Sequence, residues 1–218
     1  MKKIKFLLLV VALFMSFGCI SVSAETGKKP GTITTKEDLI YYIYYYGGMA
    51  RLDGNTVKLT SSLELAQELS FNNTESVTLD LNGNGIYFSG SDSKVMIYDN
   101  AKDVTITDSS NSDKDYIRSQ SNYAIYNSSS VGVVTVSNTM LVTNSSLPAI
   151  YTYGFSKTNV VNTTVRGDNI GIGAGANSTV FVKNSKVSLG NPTGEVGIDL
   201  ANSNVTITNS DVNVYSGA

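Results

Sequence analysis

The segments VTVSNTML (residues 134–141), NVVNTTV (159–165), VFVKNSKV (180–187) and VTITNSDV (205–212) are four versions of one pattern, and VTITDS (104–109) is a fifth. They align on a polar residue: Asp108, Asn138, Asn162, Asn184 and Asn209, spaced 30, 24, 22 and 25 apart. An apolar residue stands two before each anchor (Ile106, Val136, Val160, Val182, Ile207). Another stands three after the last four (Leu141, Val165, Val187, Val212). LDLNGNGIYF, from Leu79, fits the same pattern with Gly83 at the anchor. Self-similarity at a period near two dozen residues is the signature of a stacked repeat.

A second marker runs in phase with the first. It is an isoleucine, usually after a small residue: Ile97, Ala124-Ile125, Ala149-Ile150, Gly171-Ile172 and Gly197-Ile198. From each isoleucine to the next anchor is 11, 13, 12, 12 and 11 residues, although the overall period wanders from 22 to 30. The variation therefore belongs to loops. Apolar and polar residues alternating over short β-branched runs indicate strands with one buried face. A single turn of such strands cannot bury that face alone, so turns stack in register. The predicted architecture is all-β: a single-stranded right-handed parallel β-helix. The asparagines Asn138, Asn162, Asn184 and Asn209 form a ladder at a sharp bend, where asparagine tolerates a left-handed backbone and its amides can bond one another. The wandering period disfavours a left-handed hexapeptide helix. The missing hairpin turns disfavour a propeller.

The remaining chain divides around this repeat. Lys2, Lys3 and Lys5, the apolar run from Phe6 to Phe17 and Val22-Ser23-Ala24 read as a secretory signal peptide over 1–24. SFGC, ending at Cys19, is a poor lipoprotein box, so cleavage near Glu25 is preferred. The expected mature chain then lacks cysteine, histidine and tryptophan. It carries 13 basic and 18 acidic residues, a net charge of −5. That balance argues against nucleic acid and anionic membrane as partners, and no second long apolar stretch offers a membrane span. Residues 25–33 read as a flexible leader. TTKEDLIYYIYYYGG (34–48) reads as a capping helix, with Thr34/Glu37 or Thr35/Asp38 as a capping box and Gly47-Gly48 as the stop. Residues 49–73 read as an irregular first turn through Val57, Leu59, Leu63 and Leu65, opening a β-helix over 49–218. No capping element follows the last anchor, so the natural protein is expected to continue.

VTLDLNGNGIYFSG (77–90), followed by VTITDSSNSDKDYI (104–117), resembles bacterial cell-surface proteins of the pectate-lyase-like β-helix superfamily, in which an LDLNG turn precedes a TITDS turn. The resemblance covers roughly residues 34–117 by motif and the rest by repeat style. Asp113-Lys114-Asp115 stands where the usual lysine-glycine would follow. The resemblance implies an extracellular right-handed β-helix, often one module of a larger adhesin-like protein.

That superfamily also holds polysaccharide lyases and hydrolases, which need a catalytic set on the outer surface. The outward positions flanking the anchors are Thr105/Thr107, Thr135/Ser137, Asn159/Val161, Phe181/Lys183 and Thr206/Thr208, with no carboxylate among them. A glycosidase needs two carboxylates facing one gap. No histidine offers a base, and only Arg51, Arg118 and Arg166 are arginines. No catalytic residue and no cofactor is assigned. Asp108, Asn111, Asp113 and Asp115 have the alternation of a calcium loop. Tyr116 stands where the turn glycine belongs and Asn122 where the bidentate glutamate belongs, so a solvated loop is preferred. Thr-x-Thr pairs suggest an ice-binding array, but Asn159/Val161 and Phe181/Lys183 break it.

The tyrosines are the ligand candidates. Tyr98, Tyr126 and Tyr151 each follow a marker isoleucine and are expected at equivalent outward positions on three successive turns, with Tyr123 and Tyr153 close by. Rings in a row can stack on sugar rings. They can equally form a ladder that only stabilises the stack, which is the preferred reading of the pattern. The functional expectation is a secreted or cell-surface module that binds glycan or protein surfaces. The alternatives are the N-terminal part of a polysaccharide lyase or glycoside hydrolase, and a passive spacer. The expected partners are an extracellular polysaccharide or a host or cell-surface protein.

Overall fold

In the computed structural model, residues 29–110, 116–190 and 196–212 are described. The segment read as a signal peptide, 1–24, lies outside them. The chain winds through about six turns of a parallel β-solenoid with three strands per turn. Sheet 1 holds Thr56–Leu59, Val77–Asp80, Val104–Thr107, Val133–Ser137, Lys157–Val161, Thr179–Lys183 and Asn204–Thr208. Sheet 2 holds Leu63–Leu65, Ile86–Phe88, Tyr116–Ser119, Met140–Thr143, Thr164–Gly167, Lys186–Leu189 and Asp211–Val212. Sheet 3 holds Leu69–Phe71, Val95–Ile97, Ile125–Asn127, Ile150–Tyr153, Ile170–Gly175 and Val196–Ala201. The predicted parallel β-helix is the observed fold.

Alternation places one side of every strand in the core. Val57, Leu79, Ile106, Val136, Val160, Val182 and Ile207 form one continuous column of sheet 1. Leu69, Val95, Ile125, Ile150, Ile172 and Ile198 form a column of sheet 3. Each fully buried aliphatic side chain contributes about 1.5–3 kcal/mol of transfer free energy, and the two columns are almost wholly buried as far as Ile172 and Val182. The register corrects two sequence assignments. Val95, not Ile97, stands under Ile125, and Ile97 stands under Asn127. Both Val95 and Ile97 point inward, so either fits the pattern. Likewise Asp80 pairs with Thr107 and the Leu81 N–H bonds the Thr107 carbonyl, so Leu81, not Gly83, stands level with Asp108.

All four anchor asparagines adopt the left-handed backbone, and one amide rung joins a pair of them. Asn138, Asn162, Asn184 and Asn209 have φ of 53°, 50°, 50° and 47°. The N–H of Asn138, Asn162 and Asn184 each donates to a carbonyl of the next turn at 3.0–3.1 Å. The Asn162 amide donates to the Asn138 Oδ1 at 3.1 Å. A hydroxyl follows each asparagine: Thr139, Thr163, Ser185 and Ser210. Ser185 Oγ accepts the Thr163 N–H at 3.1 Å, and Ser210 Oγ accepts the Ser185 N–H at 3.0 Å. This second column satisfies backbone donors that the bend would otherwise bury unpaired.

The helix α1 spans Lys36–Tyr45. Of the two candidate boxes, Thr35/Asp38 forms. Thr35 Oγ1 accepts the Asp38 N–H at 3.1 Å, and Asp38 Oδ2 accepts the Thr35 N–H at 3.0 Å, the Thr34 N–H at 3.1 Å and the Thr34 hydroxyl at 2.5 Å. Gly47, at φ 82°, ends the helix, with the Gly48 N–H on the Ile43 carbonyl and the Gly47 N–H on the Tyr44 carbonyl. A Cβ at Gly48 would lie 2.8 Å from Leu63 Cδ1, so a glycine is needed where the helix end meets the first turn. Residues 49–73 are more regular than expected. Ala50–Asp53 pairs antiparallel with Thr56–Leu59 through a Gly54-Asn55 turn and covers the edge of sheet 1. Ile33 is no part of a loose leader: it is fully buried, bridges Phe71, and its N–H bonds the Ser70 carbonyl at 2.8 Å. Among the described residues no helix is long and apolar enough to cross a membrane.

Two stability outcomes follow. Asn162→Ala should lose about 1–2 kcal/mol from the left-handed backbone, and Asn162→Gly should lose clearly less, as read from urea midpoints. For Asp38, burial alone would raise the carboxyl, but the bonds from Thr34 and Thr35 outweigh it and hold it below its ordinary value. Its contribution is therefore present above the unfolded value of about 4 and lost as pH falls through the lower folded value. Asp38→Asn should cost roughly 1 kcal/mol at pH 7, and the gap from the parent protein should close toward pH 2–3 in thermal melts.

Candidate functional site: an aromatic face on sheet 3

The outer face of sheet 3 gathers four of the tyrosines. One outward column runs Met96, Tyr126, Tyr151, Gly173, Asp199. The next runs through Tyr153, Gly175 and Ala201. Tyr123 enters from the corner before Ile125. Tyr123 and Tyr151 stack with centroids 5.4 Å apart and planes 22° apart, and Tyr151 and Tyr153 stack at 6.1 Å and 21°. Tyr126 is tilted 48° to Tyr151 at 5.5 Å and stands edge-on to Tyr123 at 5.2 Å. Tyr123, Tyr126 and Tyr151 are half-buried, and Tyr153 is 45% exposed.

Tyr98 does not belong to this row. Tyr126 pairs with Met96, two residues before Tyr98, because the isoleucine marker had slipped by one inward position. The Tyr98 hydroxyl donates to Glu68 Oε1 at 2.9 Å. The same carboxylate accepts the Ser70 hydroxyl at 2.6 Å and pairs through Oε2 with Lys94 at 3.3 Å. Burial would raise Glu68, but these partners hold it below the ordinary carboxylate range. Tyr42 donates to the Glu68 carbonyl at 2.6 Å and Tyr44 to the Ala50 carbonyl at 2.8 Å. Tyr42, Tyr44 and Tyr98 thus use their hydroxyls to fasten the protein to itself, whereas the buried Tyr46 hydroxyl at the end of α1 has no partner among the described residues.

The four on sheet 3 differ. Among the described residues none of their hydroxyls bonds to a protein atom, and none is sealed from solvent. Burial, then the neighbouring phenols, push Tyr123, Tyr126 and Tyr151 above the usual phenol value, with Asp199 adding to the effect at Tyr151. The rings therefore stay neutral, each offering one donor and one acceptor. Asp199 is the only charged residue in the two columns described.

The face continues around the corner toward sheet 1. Val131 and Phe155, two residues before the paired positions Val133 and Lys157, are 64% and 72% exposed. The Phe155 loop is held by Gly154 at φ 74° and by the Ser156 hydroxyl on the Tyr153 carbonyl. The Val131 loop is held by Ser129, whose Oγ accepts the Gly132 N–H at 3.1 Å. Sequence reasoning missed both residues, which sit outside the alternating runs. A phenylalanine framed by Gly154 and Ser156 was the available signal.

The other candidates are spoken for or lie elsewhere. Asp108 Oδ1 accepts the Gly83 N–H at 2.6 Å, and Oδ2 accepts the Ser110 N–H and hydroxyl at 3.1 and 2.7 Å. Asn111, Asp113 and Asp115 lie outside the described residues, and among those described no group of three His, Cys, Asp or Glu could hold a metal. Asp80 stands in the outward column that continues through Thr107, yet it is buried and accepts the Asn82 and Ser109 N–H groups and the Ser109 hydroxyl. A shallow groove follows the asparagine bend past Asn162, Asn184 and Asn209, but its hydroxyl floor is committed to the backbone. No protein-family profile matches the chain, and neither a curated protein nor a solved structure matches it significantly.

The two sets of tyrosines predict different stability effects. Tyr98→Phe should lower stability by about 1 kcal/mol through the lost bond to Glu68. Tyr151→Phe should change it by less than about 0.5 kcal/mol. Denaturant midpoints compare the two directly.

Proposed function

We propose that this protein is an exported β-helix module that binds glycan or protein surfaces through the aromatic face of sheet 3. The observation that carries the reading is the set of four unbonded phenol hydroxyls on one face, set against Tyr42, Tyr44 and Tyr98, which spend theirs within the protein. Tyrosine combines a large apolar ring with a polar tip and loses little rotamer freedom on binding, which is why it is favoured at recognition surfaces. The contiguous exposure of Tyr153, Phe155 and Val131 extends that surface. The leading 24 residues support export, and the LDLNG and TITDS turns support membership of the pectate-lyase-like superfamily in its adhesin-type branch. A polysaccharide lyase or hydrolase fragment is the rival reading.

Glycan arrays and surface-protein panels probed with the mature chain test the proposal. Tyr126→Ala and Tyr151→Ala should each weaken capture about tenfold, with the β-helix circular dichroism retained. Unchanged capture in both variants removes the aromatic face as the binding surface. Release of unsaturated sugars from pectin or alginate would favour the enzymatic rival.

A further inference from the structure

Two glycines stand where the tyrosine columns would continue. Gly173 follows Tyr151 and Gly175 follows Tyr153. Glycine inside a strand weakens it, so its presence there marks a close approach from outside the sheet. The approaching group is Tyr151. A Cβ at Gly173 would lie 2.6 Å from Tyr151 Cδ2 and 2.8 Å from Pro148 Cγ, and one at Gly175 would lie 2.9 Å from the Tyr151 hydroxyl. The Tyr151 ring therefore lies along the strand from 173 to 175, across the bare backbone of the next turn. Tyr123 and Tyr153 keep their planes within 22° of it. The result is three overlapping rings rather than three independently mobile ones.

We propose that Gly173 and Gly175 are positioning residues that hold Tyr151 flat, and that the ring set so held takes a neutral pyranose chain laid across successive turns. This rests on the binding function proposed above and names its ligand. A pyranose with equatorial hydroxyls shows C–H groups on its faces and hydroxyls at its rim, which complements a ring face bordered by phenol hydroxyls. Along the stacked run Tyr123, Tyr151, Tyr153 the two centroid steps are 5.4 and 6.1 Å, close to the advance per sugar of an extended chain. A uronate polymer needs cations, and the only charge in the two columns is the carboxylate of Asp199, so they offer a polyanion no cationic partner. With Tyr123, Tyr126 and Tyr151 held above the usual phenol value and no histidine in the protein, binding should not change between about pH 6 and 9.

The test uses the mature chain, β-1,4-linked gluco- and manno-hexasaccharides, and an oligogalacturonate of equal length. The chain lacks tryptophan, so tyrosine near-UV dichroism and fluorescence report the site directly. The neutral hexasaccharides should perturb the tyrosine signal and the oligogalacturonate should not. Gly173→Ala and Gly175→Ala should each weaken the neutral sugar severalfold at an unchanged or raised melting temperature. In the Tyr151→Ala background, Gly173→Ala should have no further effect on binding. Equal or tighter binding of oligogalacturonate overturns the ligand class. Full affinity in both glycine variants overturns the positioning role. Tyrosine-dependent capture of a protein with no response to any sugar sinks this inference while leaving the aromatic face as a binding surface. Tyrosine-independent capture sinks both.

Discussion

Each turn of this chain must come back to the same lateral position one strand spacing further on, and every backbone donor at the bends must be handed to the neighbouring turn. The asparagine bend meets both demands. A left-handed residue at 138, 162, 184 and 209 turns the chain from sheet 1 into sheet 2. Its N–H reaches forward to the next turn, and the hydroxyl after it receives the N–H arriving from the turn before. Because one corner repeats so closely, the strands on either side stay in register over many turns. Length variation then falls at the other corners, in the longer step from Leu81 to Ile86 and in the long connection after Asp108.

In-register stacking also multiplies whatever a position carries. Inside, it turns a valine or isoleucine into a column. Where an inward position is polar, the cost is met locally: buried Asn127 donates to the Lys157 carbonyl and to Thr158 Oγ1, and Thr152 and Thr158 hydroxyls bond each other at 2.8 Å. Outside, a column that changes identity is where a surface becomes specific. The column Met96, Tyr126, Tyr151, Gly173, Asp199 changes at every step but one. Two adjacent rings followed by a bare glycine let the second ring fold down over the next turn. An isolated pair of tyrosines does not achieve that without a neighbouring strand stripped of side chains.

The capped end illustrates the opposite use of the same residue. Tyr42, Tyr44 and Tyr98 tie α1, the hairpin and sheet 3 together through carbonyl and carboxylate acceptors, and the Glu68–Lys94 pair completes the network. The edge of the first turn is closed twice, by the antiparallel strand 50–53 and by the helix whose buried face is Leu39, Ile40, Tyr42 and Ile43. On the middle turns the four tyrosines of sheet 3 keep their hydroxyls open to solvent.

Periodicity in the sequence determined the parallel β-helix, the asparagine corner and the capping helix, because each of these depends on local alternation or on backbone preferences of single residues. Those signals survive at the level of the chain. The sequence could not determine the register where two inward residues are equivalent, as with Val95 and Ile97, or where a turn gains two residues, as between Leu81 and Ile86. That slip placed Tyr98 in a row to which it does not belong. Only the tertiary structure decided which hydroxyls were spent and which were open, and that Gly173 and Gly175 lie beneath Tyr151. Those facts depend on which turn lies next to which, and neighbouring turns are about two dozen residues apart in the chain.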